Sequence, residues 1–277
     1  MDAPAQKKDF AWQPLTPEGI SKFARASLGR LWVVQVVFAL LVASSVIWFL
    51  QTSWFPVIAK TAHNFPEKAE VRGRKLVWTG ESPVVLAENR FLAVSVDLKH
   101  SGKARSPAHV TIEVGETNIK IFSLLGYVEW NYPAGWIISL ARSEAVPWFG
   151  AWSPAILAVA AGFVAGTLLF LWTILATIYF GPAWLIAFFA NRQLAAGGSW
   201  RLAGAAQMPG ALWLFGVVLA YGFGWFDLIG LAIGAGLHFV IGWVYLVLGL
   251  LKIPLHAEGQ ALKQNPFAEP SDGQPNP

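Results

Sequence analysis

The chain has 277 residues, of which 55% are apolar and only 13% are charged, a balance typical of membrane proteins. It contains no cysteine, which excludes disulfides, thiolate metal sites and cysteine nucleophiles. The net charge of +4 comes from basic residues that lie among acids or beside apolar runs rather than along one stripe. We therefore expect no nucleic-acid partner.

Residues 1–30 form a polar leader that is predicted to be cytoplasmic. Thr16 is a suitable helix cap, Pro17 fits the first helical position, and apolar residues then recur at spacings of three and four. The pattern indicates either an amphipathic helix on the membrane surface or a solvated lead-in to the first membrane helix.

Residues 31–50 carry no charge, and at ~1.5 Å per residue they match the roughly 30 Å of a bilayer's hydrocarbon core. This run predicts the first transmembrane helix. A cleaved signal peptide is the alternative, because Ala43, Ser44 and Ser45 resemble the small residues of a cleavage site. The apolar run continues to Leu50, which favours an uncleaved anchor.

Residues 51–150 differ in kind from the rest and are predicted to form a mainly antiparallel, extracytoplasmic β domain. Apolar and polar residues alternate from Phe91 to Leu98 and again from Val110 to Val114, which is the period of a half-buried strand. Turn-forming residues such as Gly80 and the Ser101-Gly102 pair separate about five such segments.

Aromatic residues cluster where this domain returns to the membrane. They are Trp130, Tyr132, Trp136, Trp148 and Phe149. We expect them to seat the domain on the lipid surface or on the helices rather than to fill a soluble core.

The second half is predicted to hold three further transmembrane helices, at residues 154–180, 209–226 and 228–251. Gly181-Pro182 is expected to end the second helix, so residues 183–207 are predicted to be an interfacial or cytoplasmic segment. Residues 252–277 are expected to be a disordered cytoplasmic tail. The predicted fold class is therefore a membrane α-helical protein of about four transmembrane helices with an inserted β domain.

Basic residues in the short connections predict the orientation. Arg192, Arg201 and Lys252 fall on the same side of the membrane as the basic leader. The turn at residues 225–227, on the other side, carries no basic residue. Because Lys and Arg of short loops are retained in the cytoplasm, both termini are predicted to be cytoplasmic.

His238 is the ionisable residue nearest the centre of a predicted membrane helix, and such residues are functional candidates because charge in a bilayer is costly. Asp227, the second candidate, precedes the same helix but lies roughly 16 Å away along it. A neutral imidazole bonded to a neighbouring carbonyl or hydroxyl is the structural alternative. We expect that His238 does not carry protons.

Glycines and other small residues recur at four-residue spacing in the predicted helices. The sets are Gly162 with Gly166, Gly230 with Gly234, and Gly216 with Ala220 and Gly224. This spacing places small residues on one helix face, where two backbones can approach closely. It predicts packing inside the bundle or, alternatively, against a protein partner or a second copy in a homo-oligomer.

No constellation in the sequence points to a reaction. No two histidines of the β region stand at the spacing of a zinc motif, and no nucleophile elbow or phosphate-binding loop is present. We therefore predict no catalytic, cofactor or metal site. A membrane enzyme would need acids such as Glu129, Glu144 and Asp227 to gather at the outer interface.

The order of these parts resembles an uncharacterised family of bacterial integral membrane proteins, with a strand-rich insert carrying Phe91 to Leu98 and Val110 to Val114 before a Gly-rich helical half. The resemblance implies a multi-pass protein of the bacterial cytoplasmic membrane and supplies no activity. The second half, with Gly197 to Arg201 leading to Pro209, is more weakly similar to Yip-type membrane-trafficking proteins.

The leading functional hypothesis is a non-enzymatic membrane anchor whose outer β domain binds a protein partner or an envelope component. A transporter or channel subunit is the first alternative, although the predicted helices hold few polar residues to line a pathway. A membrane enzyme acting at the outer interface is the second alternative.

Overall fold

The structure is a computed structural model that describes residues 12–256. This part of the chain forms two compact units, one made of residues 12–38, 167–212 and 237–256 and the other of residues 39–166 and 213–236. The start of the leader and most of the expected disordered tail lie outside the described residues.

Helices dominate the fold. In chain order they are α1 (Pro17–Phe23), α2 (Leu28–Phe49), α3 (Phe55–His63), α4 (Arg142–Phe189), α5 (Ala196–Ala205), α6 (Met208–Gly222) and α7 (Leu228–Leu251). A π-helical turn at Leu50–Trp54 joins α2 to α3. Four stretches are long and apolar enough to cross a membrane, namely α2 with α3, α4, α5 with α6, and α7. These helices indicate a membrane protein.

The break predicted at Gly181-Pro182 is wrong, because α4 continues through this pair to Phe189. A proline removes one backbone donor and disfavours a helix in water, but apolar helices tolerate it when neighbouring groups satisfy the freed carbonyl. Beyond it, Ala183 and Ala187 are buried, whereas the larger side chains up to Phe189 are exposed. The segment predicted to lie at an interface is instead helical over most of its length, in α4 and α5.

The helix predicted after Thr16 is present as α1, and the Thr16 hydroxyl accepts a hydrogen bond from the Gly19 amide at 3.1 Å. Its apolar side is packed rather than free, because Ile20 and Phe23 are fully buried. Ile20 lies so close to Gly249 of α7 that a Cβ on this glycine would stand 2.8 Å from the Ile20 Cγ2. A solvated lead-in therefore does not describe α1, and its position at a membrane surface stays a prediction.

Eight strands lie between α3 and α4. They are β1 (Ala69–Arg72), β2 (Lys75–Trp78), β3 (Val84–Glu88), β4 (Leu92–Val96), β5 (Val110–Val114), β6 (Asn118–Ser123), β7 (Gly126–Asn131) and β8 (Ile138–Ser139). One sheet has three strands in the order β2-β1-β8, and the other has five in the order β3-β4-β5-β6-β7. The predicted strand region is confirmed, but it is a mixed structure, since β4 and β5 run parallel and the other pairs are antiparallel.

One face of the five-stranded sheet is apolar and is partly covered. Leu92 and Val94 of β4 pack against Val57 of α3. At another part of the sheet, Val114 of β5 packs against a cluster that includes Val71 of β1. These contacts bury the sheet's apolar face from β3 to β5.

The strand region is fastened to the ends of α2 and α6. The Phe91 ring packs edge-on against Phe49 and Tyr221, with ring centroids 5.2 and 5.1 Å apart. The Tyr221 hydroxyl and the Nδ1 of His109 are 2.9 Å apart and share a hydrogen bond. These contacts hold the loops before β4 and β5 against the helix ends.

Arg90 adds a polar clamp at the same place. Its guanidinium donates to the carbonyl of Gly224 at 2.7 Å and to the carbonyl of Phe226 at 3.3 Å. Because both residues lie just beyond the last turn of α6, Arg90 satisfies carbonyls that the helix leaves without partners. The turn between α6 and α7 is thereby tied to the sheet region.

The environment of His109 indicates that the stability of the protein depends on pH. Burial, reinforced by the Arg90 charge, holds the pKa of His109 below its ordinary value, and Asp227 opposes this only in part. The folded chain therefore binds a proton less readily than the unfolded chain. The stability that His109 contributes is complete above about pH 6.5 and declines as the pH falls below it.

We expect the melting temperature of the detergent-solubilised protein to fall between about pH 7 and pH 5, and His109→Gln to reduce that fall. The exposed His63 supplies the control, because His63→Gln should leave the fall unchanged. If the melting temperatures of wild type and His109→Gln fell equally with pH, His109 would contribute nothing to the pH dependence of stability.

Candidate functional site

Most apolar side chains of the β6–β7 hairpin are uncovered, the exception being Ile119, which packs against the cluster that includes Val71. All six residues of β7 are exposed. Trp130 and Val128 are 71% and 64% exposed, and Leu125 at the hairpin turn is 81% exposed. Contiguous apolar side chains of this kind on a folded protein mark interaction sites.

These side chains continue the covered apolar face of the sheet. Val128 pairs with Ile121 of β6, which in turn pairs with Ile112 of β5, and directly opposed residues share a face. Trp130 is likewise opposed to Ile119. The apolar face therefore runs across the whole sheet, and the covering by α3 ends before β6 and β7.

The edge of β7 is also open. Within residues 12–256, β7 pairs with β6 and with no other strand. Its free edge presents a row of backbone donors and acceptors, and natural sheets protect such edges with Lys, Pro or a covering element. β7, with the sequence GYVEWN, carries neither Lys nor Pro. It has the properties of a strand that accepts another strand.

The opposite face of the hairpin carries the Phe122–Tyr127 ring pair near the turn and a bonded polar network further along. His100 contacts the carboxylate of Glu113, and its Nε2 lies 2.5 Å from the Oδ1 of Asn118. The Asn118 amide donates to Glu129 of β7 at 2.5 Å. Since Glu113 and Asn118 are buried, this network ties β5, β6 and β7 together and makes the hairpin a fixed platform.

Asp97 closes the loop that leads to this network. Its carboxylate accepts hydrogen bonds from the Ser101 hydroxyl at 2.8 Å and the Gly102 amide at 3.0 Å. Burial opposes ionisation of Asp97, but hydrogen bonds from Ser101, Gly102 and Lys99 together outweigh it and hold the pKa of the carboxyl below its usual range. The turn predicted at Ser101-Gly102 is thus stabilised by a charged partner.

His238 is buried and held by α4. The indole Nε1 of Trp172 donates to the Nε2 of His238 at 3.2 Å, so this nitrogen acts as the acceptor of a neutral ring. α6 approaches on the other side, where a Cβ on Gly210 would lie 2.7 Å from the Nδ1. The partner is an indole N–H rather than the predicted carbonyl or hydroxyl, and a structural role for His238 stays a prediction.

Two further buried polar side chains among the helices are glutamines. Gln35 donates to the carbonyl of Gly204 at 3.4 Å, and Gln207 donates to the carbonyl of Ala203 at 3.3 Å. Among the described residues, the Oε1 of each amide has no hydrogen-bond partner. Gln207 escaped the sequence analysis because its segment was interpreted as interfacial, although it stands among small residues in an apolar run.

Asp227 has a local structural role. Its Oδ1 accepts a hydrogen bond from the amide of Gly230 at 2.7 Å, which caps the first turn of α7. Glu129 is bonded within the hairpin, and Glu144 lies in the first turn of α4. In residues 12–256, no three His, Asp or Glu side chains are placed to hold a metal ion.

The predicted glycine sets have different surroundings. A Cβ on Gly234 would lie 2.6 Å from the Cγ1 of Val217, so this glycine permits close packing of α7 on α6. A Cβ on Gly162 or Gly166 would meet nothing within 4 Å in the described part of the chain. Packing of these two against a second copy or a protein partner stays a prediction.

No protein-family model, curated protein or solved structure matches this chain. The resemblances to a family of bacterial integral membrane proteins and to Yip-type proteins therefore stay predictions. The geometry of the chain is the basis on which its function has to be argued.

Proposed function

We propose that this protein is a non-enzymatic membrane anchor whose outer sheet region binds a protein partner through β7. The carrying observation is that β7 is an open sheet edge with its apolar side chains exposed on a sheet face that is covered elsewhere. A partner strand adds along β7, and its side chains cover Val128 and Trp130. Backbone pairing supplies affinity in this mode, and the side chains supply specificity.

Lipid is a poor partner for the open edge of β7. Each backbone donor or acceptor left unsatisfied in hydrocarbon costs several kcal/mol, so an open strand edge is excluded from the lipid interior. A partner strand satisfies these groups and covers the apolar side chains together. A protein is therefore favoured over lipid along β7.

Only the hairpin turn comes near the level of the helix ends. Ser123 and Gly126 pair with each other, and Ser123 also pairs with Val110. Val110 follows His109, which contacts Tyr221 near the end of α6. Leu124 and Leu125 thus lie toward the membrane surface, while the rest of β7 extends away from it.

We place both termini in the cytoplasm and the sheet region outside it, in a bacterial cytoplasmic membrane. The basic residues of the short connections support this orientation. The resemblance to the bacterial family supports only the compartment. The absence of native cysteine makes it testable with single introduced cysteines.

Lys103→Cys should react with a membrane-impermeant maleimide in intact cells, whereas Gly197→Cys should react only after permeabilisation. Both positions are exposed, so protection reports the side of the membrane. Ser101 is avoided because its hydroxyl bonds Asp97. Labelling of position 197 with protection of position 103 would reverse the topology.

A photo-crosslinking residue placed at single positions in cells tests the binding function. At Val128 and at Trp130 it should yield one and the same protein adduct. At Val77, an exposed valine of β2, it should not. Equal adducts from all three positions, or none from Val128, would contradict binding through β7.

A transporter or channel subunit is the second candidate, favoured by the buried polar side chains of Gln35, Gln207 and His238. Gln207 packs at Gly242 and His238 packs at Gly210, so the two lie about one helical turn apart on the facing helices. The candidate ranks second because these groups are uncharged amides and an imidazole bonded to Trp172.

A further inference from the structure

A groove of about 640 Å³ lies between α3, β8 and the start of α4. Its walls are apolar and include Ile58, Phe65, Trp136 and Trp148. This volume is within the range of small-molecule sites, roughly 300–1,000 Å³. α3 and α4 also touch each other beside it, where the rings of Phe55 and Phe149 stack with centroids 5.3 Å apart. The groove is separate from the β7 edge.

Polar atoms contribute little to the surface of the groove. Thr61 lines it, but the residue is only 5% exposed and its Oγ1 is buried, so the hydroxyl is not open to a ligand. The surface that a ligand meets is therefore mainly apolar.

We propose that this groove holds one acyl chain of a membrane phospholipid with an amine headgroup. α3 continues the first long apolar helix and α4 is the second, so the groove opens beside two segments that are apolar enough to cross a membrane. Trp148 and Trp152 are exposed on α4, as is typical of residues at a lipid headgroup level.

The charge at the groove selects the headgroup. Glu144 is the one charged residue among the described residues that line the groove, and it is exposed in the first turn of α4. A carboxylate at this place attracts an ammonium group and repels the net negative charge of phosphatidylglycerol or a fatty acid. Phosphatidylethanolamine matches both the apolar groove and its acidic rim.

Native mass spectrometry of the full-length protein, with phosphatidylethanolamine, phosphatidylglycerol or oleate added, tests this proposal. One phosphatidylethanolamine should stay bound at collision energies that strip the other lipids. Glu144→Gln should remove the preference over phosphatidylglycerol.

Two tryptophan substitutions in α4, one inside the groove and one outside it, form a matched pair of variants. Ala145→Trp places an indole in the groove and should remove the retained lipid, whereas Ala151→Trp, on an exposed side of the same helix, should leave it. Equal retention in both tryptophan variants would overturn the proposal. Equal binding of the three lipids would also overturn it and would indicate non-specific surface lipid.

Discussion

Gly210→Leu should destabilise the protein by about 3 kcal/mol or more, because α6 and α7 meet at this glycine without room for a side chain. A Cβ there would stand 2.6 Å from the backbone oxygen of His238, and real Cβ atoms essentially never approach another heavy atom within 3.0 Å. The obstacle is helix backbone, which cannot rotate away. The two helices must separate, and the bond between Trp172 and His238 is strained with them.

Gly216 of the same helix provides the control. It is exposed, and a Cβ on it would meet nothing within 4 Å in the described chain. Gly216→Leu should be neutral or slightly stabilising, since leucine favours a helix over glycine by up to about 1 kcal/mol. The fraction of protein that stays monodisperse in detergent after graded heating measures both variants. Equal losses would show that the α6–α7 contact does not limit stability.

The long helices and the presence of a strand region could be predicted because both signals are local. The charge-free run at residues 31–50 falls within the helical stretch Leu28–His63, and residues 228–251 match α7 to the residue. Alternation from Phe91 to Leu98 contains β4, and Val110 to Val114 is β5. Hydrophobic length and period need no knowledge of what lies across the fold.

Strand pairing could not be predicted, because alternation is the same in parallel and antiparallel strands. β4 and β5 both alternate, yet they run parallel, since residues 97–109 return the chain to the other end of the sheet. The division into two sheets depends on β1 pairing with β8, which lies more than sixty residues further along the chain. Such long-range contacts leave no periodic signal.

The aromatic cluster predicted to seat the domain divides into different roles. Tyr132 is buried in the sheet core, where its hydroxyl donates to the Gly115 carbonyl at 2.9 Å, and burial raises the pKa of the phenol to about 12. Trp130, only two residues away, is exposed. The prediction that Tyr132 does not fill the core is wrong, because a hydroxyl with a backbone partner is readily buried.

The sequence predicted which kinds of residue are candidates for the site, but not the residues that they contact. A buried histidine was evident, but its partner Trp172 lies 66 residues earlier in the chain. Four-residue spacing identified Gly234, which packs on α6, and equally Gly162, which faces open space. Gly210 and Gly242 make equally close contacts without belonging to such a set. Which glycine faces a neighbour depends on helix rotation, and spacing does not determine it.

Trp130→Lys should weaken partner binding about 30-fold, because a large aromatic side chain at the centre of an interface contributes 2 kcal/mol or more. Lysine also places a charge where the partner's apolar side chains would pack. Trp130 is exposed and the network of Asn118 and Glu129 lies on the opposite face, so the sheet itself should fold unchanged. Val77→Lys, at a 51% exposed valine of β2, is the control and should bind normally.

Amide hydrogen exchange of the full-length protein, with and without the partner captured through Val128, tests strand addition to β7 most directly. Residues 126–131 should exchange more slowly in the complex, because the partner's backbone pairs with the open edge of β7. Trp130→Lys should abolish this slowing, and Val77→Lys should retain it. Unchanged exchange in β7, with slowing at another surface of the protein, would contradict binding through the sheet edge.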